Sequence, residues 1–163
     1  MIRRAPRRRD GADRPLAHTF RRNAAGFHEA AVAALDRHPE ATRYFLAIAI
    51  ELALKAYLLH RGISDDWNRV HIRHDLARAL RCARRAGFDG APAELPALAA
   101  LLSPYYQVHA IAVMPPDAIA SASWPEACET VRALIAAVTR ATGDQGWGDA
   151  ALRTGRHGGC TGL

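Results

Sequence analysis

Lysine is nearly absent from this chain of 163 residues, where Lys55 stands alone against 21 arginines. Cysteine is sparse too: Cys82, Cys128 and Cys160 are far apart, odd in number and in no CxxC pair. That spacing excludes a disulfide scaffold and points to a reducing, cytoplasmic setting, with the cysteines as small hydrophobes. No apolar stretch follows the basic N-terminus, so no secretory leader is expected. The most hydrophobic run, Tyr44 to Leu59, is shorter than the roughly 20 residues of a membrane span and has Glu51 and Lys55 at its centre. No membrane partner is expected. Aromatic residues make up only 7% and charged residues 23%, against 50% apolar. Such a chain can bury one core and belongs to neither the collagen-like nor the wholly disordered class.

The formal charge of +6 suits a nucleic-acid partner until it is located. Residues 1–22 hold eight arginines (3, 4, 7, 8, 9, 14, 21 and 22) against Asp10 and Asp13. The remaining 14 basic and 14 acidic residues cancel. The body is neutral and the basicity is an N-terminal tail. GC-rich coding bias, which enriches arginine and alanine together, accounts for that tail without a function. An RNA contact through residues 1–22 is the alternative, because clustered arginine binds phosphate with little sequence preference and a strong salt dependence.

Hydrophobic periodicity predicts an all-α, up-and-down bundle of four to five helices over residues 15–141. Residues 1–14 read as a disordered arginine-rich tail and 142–163 as a glycine-rich one. Leu16, Phe20, Ala24, Phe27, Ala31, Ala34 and Leu35 recur at three- and four-residue steps, giving a first helix capped by Asp13 and ended by His38-Pro39. The second, from about Ala41 to Arg61, is apolar nearly all round, which places it at the centre of the fold. Ile63 to Ile72 is polar and turn-like. His74-Asp75 opens a third helix, Pro92 a fourth and Trp124-Pro125 a last one, with Gly62 and Gly87 as stops. Pro104 is expected to bend or break the fourth helix, leaving 105–124 as an irregular crossing segment.

Within that frame few residues carry chemistry. There is no Walker A motif, GxGxxG, GxSxG, HExxH or zinc-type Cys/His spacing, so no cofactor or metal is implied. His71 and His74 lie three apart but straddle a loop boundary and lack a completing ligand. Glu51 and Lys55 are four apart on a helix without a wet face, and a charge there must be paired. They form either an internal ion pair that fixes register or a pair that reaches a cleft and the His74 imidazole. Asp75 has a structural explanation in the helix macrodipole. Arg69-x4-His74 has the composition of a metal-free ribonuclease pair, in which His takes the 2′-hydroxyl proton and Arg holds the developing phosphate charge. Tyr105, Tyr106 and His109 sit beside the Pro104 break, as binding residues or as tyrosines satisfying buried hydroxyls.

ELALKAYLLHRG, a polar loop, HDLARALRCARRAG and then LLSPYYQVHAIAV, preceded by AAGFHEAAVAAL, resemble in this order the HEPN superfamily of prokaryotic helical domains. The likeness runs from about Leu16 to Leu134. It implies a bundle of four or more helices that dimerises, and a role in RNA cleavage, nucleotide binding or a toxin–antitoxin pair. A nucleotidyltransferase or an antitoxin is the implied partner. Ribonuclease members carry Arg-x4-6-His near a late helix. Here His109 follows Ser-Pro-Tyr-Tyr-Gln-Val with no arginine in reach, and Arg69-His74 lies before the third helix. The expectation is therefore a non-catalytic homodimeric module that binds nucleotide, RNA or a protein partner. Its cleft would be formed by Glu51, Lys55, His74, Asp75, Tyr105, Tyr106 and His109. A metal-independent endoribonuclease using Arg69 and His74, or His109, is the first alternative, and a purely structural interaction bundle the second.

Overall fold

The computed structural model describes residues 12–143. Both tails, with Cys160, lie outside the described residues apart from their inner ends. Among those residues there are seven α-helices, one 3-10 turn and no strand. The all-α class follows from the sequence; the number of helices exceeds the four or five expected.

α1 (Arg14–Ala34) and α2 (Pro39–His60) form an antiparallel hairpin. The Asp13 side chain caps α1 by accepting from Leu16 N at 3.2 Å, while Asp13 N–H donates to Leu59 O at the far end of α2. Asp13 and Arg14 thus belong to the bundle rather than to the tail. Ala17, Ala24 and Ala31 recur at seven-residue spacing and are all buried. Side chains this small let the two helix axes approach closely, with Phe20, Phe27 and Leu35 packed alongside. Pro39 does not merely end the first helix. It opens the second, where its fixed φ fits and its missing N–H costs nothing.

α2 is the central rod and packs against α1, α3 (Asp65–His71), α4 (Leu76–Arg85), α5 (Leu95–Tyr106), α7 (Trp124–Thr142) and the 3-10 turn Ile111–Val113. That enclosure is why the sequence reads apolar around its whole circumference. α6 (Pro116–Ala120) is a single turn before α7. Thr142 is buried and accepts from Arg21 Nη1 at 2.7 Å, so the last helix stays in the bundle one residue past Ala141.

Three local expectations need correction. Residues 65–71 are helical: Ser64 caps the turn through Trp67 N at 3.2 Å and Asp65 and Asp66 answer the helix dipole. The polar composition concealed a short surface helix. α5 begins at Leu95 rather than at Pro92, and it runs through Pro104 unbroken. The carbonyl that Pro104 leaves without a donor belongs to Ala100, which is exposed and can be hydrated. Finally, Asp75 is the N-cap of α4, its carboxylate accepting from Arg78 N at 2.8 Å. His74 precedes the helix and is free for other work.

Candidate functional site

Glu51 lies just past the middle of α2 and is 6% exposed, with Lys55 one turn later at 8%. A carboxylate in that position has to be surrounded by donors, and three converge on it. Lys55 Nζ donates to Oε1 at 2.5 Å. Tyr106 Oη donates to Oε2 at 2.6 Å, and His74 Nδ1 approaches the same oxygen at 3.1 Å. An ionised carboxylate only accepts, so Nδ1 carries the hydrogen and Nε2 is the His74 nitrogen left for a ligand. Burial, and after it the neighbouring Glu51 charge, push the Tyr106 phenol far above its ordinary value. Tyr106 therefore stays a neutral donor to the acid.

Backbone architecture fixes this cluster from three directions. α2 supplies the acid and amine, the end of α5 supplies Tyr106, and the α3–α4 junction supplies His74. Ser103 Oγ accepts from Ala77 N at 3.0 Å, tying α5 to the start of α4 just beyond His74. The imidazole packs edge-on against Tyr106, centroids 5.0 Å apart, and against His109 at 5.4 Å. Its side chain is 42% exposed, so one edge is held by protein and the other faces water.

That open edge borders a cleft of ≈ 590 Å³ lined by Lys55, Arg69, Arg73, His74, Gln107, Val108 and His109. Five of these seven side chains are basic and none is acidic. The cleft is also where the backbone departs from ordinary geometry. Arg73 (φ 52°) and His109 (φ 56°) are the two non-glycine residues in the left-handed region among the described residues, and both line it. Such conformations cost roughly 1–3 kcal/mol each and are held by the surrounding structure. Arg73 N–H and Ile72 N–H both bond to Asn68 O, and His109 N–H bonds to Tyr106 O, which fixes the two turns.

No family model, curated protein or solved structure matches this chain. The site is therefore read from its geometry. Glu51, Lys55, His74, Tyr106 and His109 come together as one cluster, and Arg69 lines the same cleft as His74. Asp75 and Tyr105 stand elsewhere. Asp75 is occupied as the α4 cap, and Tyr105 is packed half-buried against the core. His71, on α3, stacks on Trp67 with centroids 4.7 Å apart. Arg73, Gln107 and Val108 were not singled out by sequence reasoning. The only signal for Arg73 was its place between Arg69 and His74, which in an arginine-rich chain carries little weight.

Proposed function

We propose that this chain is a HEPN-like helical module that binds the phosphate backbone of RNA or a nucleotide in the Lys55–His109 cleft, without cleaving it. The observation that carries this reading is the lining itself: Lys55, Arg69, Arg73, His74 and His109 converge on one cavity with no acidic side chain among them. Glu51 lies beneath, already engaged by three donors, so it sets the geometry of Lys55 and His74 rather than opposing an anion. Arginine forks and an imidazole edge suit phosphate oxygens. Homodimerisation and a nucleotidyltransferase or antitoxin partner remain part of the proposal through the HEPN resemblance.

A second reading, a metal-independent ribonuclease, draws on one specific observation. His74 is oriented by Glu51 through Nδ1, which leaves Nε2 available as a general base, and Arg69 lines the same cleft. Incubation of end-labelled RNA with the protein in EDTA separates the two. The binding reading expects intact RNA, retained with at least several-fold lower affinity by Arg69→Gln and Arg73→Gln. Cleavage that disappears in His74→Ala would replace it with the ribonuclease reading.

A further inference from the structure

His109 also lines a second and larger cavity, ≈ 820 Å³, bounded by Arg37, His38, Glu40, Arg43 and Tyr44 among others. Arg43 is its unusual member. The residue is 5% exposed, its Nε is buried with no hydrogen-bond partner, and no carboxylate pairs with it among the described residues. Its guanidinium lies over the Trp124 ring, 5.7 Å from the centroid. A guanidinium cannot shed its proton, so the cost of burying it is not relieved by neutralisation. A ring face offsets only part of that cost. Elsewhere in the fold, buried charge is handled differently: Glu51 and Lys55 are paired.

The same cavity receives the N-terminus of the 22-residue α2. His38 provides no side-chain cap and Pro39 has no N–H. The Glu40 and Ala41 N–H groups fall in the first turn, where no intrahelical acceptor exists. Pro39, Glu40 and Ala41 line the cavity together with Arg43, so the positive end of the helix dipole lies at its wall. Glu40 is the one acid in the lining; it is exposed and pairs with none of the neighbouring cations.

We propose that the Arg43 cavity is an anion site for a phosphate group. Because His109 borders both cavities, this site takes a second phosphate of the ligand held in the Lys55 cleft. The ligand is then an oligonucleotide rather than a mononucleotide. This last step rests on the binding reading above; the Arg43 site itself does not.

Trp124 supplies a local readout. In the full chain with Trp67→Phe and Trp147→Phe, Trp124 is the remaining tryptophan, and its emission is followed during titration with inorganic phosphate in a phosphate-free buffer. A saturable change is expected, weakened at least tenfold by Arg43→Met and by Arg43→Gln and left within twofold by Arg81→Gln, an exposed α4 residue that lines neither cavity. A flat titration, or an equal response in the Arg43 variants, would overturn the site. Affinities for an RNA oligonucleotide and for a mononucleotide are then compared by anisotropy. Arg43→Gln should weaken the oligonucleotide at least fivefold and the mononucleotide by less than twofold. If phosphate binding depends on Arg43 but both RNA ligands are indifferent to it, the joined-site proposal fails while the Arg43 site stands. If the oligonucleotide does not bind the wild type either, the binding reading fails instead.

Discussion

Removing the Glu51 carboxylate should unmask the cost that the cluster conceals. Glu51 and Lys55 are 6% and 8% exposed, so their bond is not a solvated surface pair, for which about 0–1 kcal/mol would be expected. Glu51→Leu leaves the Lys55 ammonium buried without a counter-ion and strips the acceptor from the Tyr106 hydroxyl. Breaking such a pair from one side costs about 3–5 kcal/mol, a large share of the roughly 5–15 kcal/mol that holds a domain folded. Lys55→Met should cost less, because Glu51 keeps Tyr106 and His74 as donors. The double variant Glu51→Leu with Lys55→Met removes both charges and leaves only Tyr106 and the His74 Nδ1 hydrogen without a partner, of which Tyr106 is the buried one. It should lose about 1–3 kcal/mol, the desolvation cost of that one orphaned hydroxyl. Adding Tyr106→Phe should bring the triple variant back to within about 1 kcal/mol of wild type. Urea unfolding followed by far-ultraviolet circular dichroism gives these values, provided the denaturant slope stays constant. Additive losses across the cycle, or a Glu51→Leu cost below about 1 kcal/mol, would refute the claim that an enclosed, coupled network holds this face of α2.

Further outcomes follow from individual groups. Because burial raises the Tyr106 phenol, the folded state keeps a proton that the unfolded chain releases above about pH 10. Stability is unaffected below that pH and falls above it by up to about 1.4 kcal/mol per unit, a slope that Tyr106→Phe should reduce relative to wild type in alkaline urea titrations. Replacing Asp13 with Ala should cost about 1 kcal/mol through loss of the α1 cap. A chain lacking residues 1–14 should show the same loss by thermal unfolding, whereas one lacking residues 1–11 should not. Arg73→Gly and His109→Gly should each relieve left-handed strain and raise stability by about 1 kcal/mol while weakening RNA binding in anisotropy titrations. A loss of stability in both would contradict that account.

How far this was legible in the sequence depended on whether one segment's own pattern decided the matter. α2 was readable because enclosure on all sides leaves no polar stripe, and the Glu51–Lys55 spacing then required a buried partner. The α4 start and the glycine stops at Gly62 and Gly87, both with positive φ, were readable from local backbone chemistry. α3 was not, because a seven-residue surface helix capped by Ser64 carries almost no apolar period. Continuity through Pro104 depended on Ala100 facing water, a tertiary fact. The cleft was half visible. Lys55 stood out as the single lysine, and His74 and His109 by their places at a helix start and beside Pro104, whereas Arg73 and Arg43 were hidden among 21 arginines. What distinguishes those two is a left-handed backbone in one case and burial over Trp124 in the other, and neither leaves a trace in composition.

On the proposed reading the Lys55–His109 cleft, and not the arginine-rich tail, grips phosphate. This is tested by the salt dependence of RNA affinity in the full chain with Arg3, Arg4, Arg7, Arg8 and Arg9 changed to Ser. This protein should still bind single-stranded RNA. In it, Arg69→Gln with Arg73→Gln should lower the slope of log affinity against log salt by roughly 1.4, about 0.7 for each phosphate that an arginine no longer neutralises. Disappearance of all salt-sensitive binding on neutralising the tail, or an unchanged slope in the double variant, would contradict that reading.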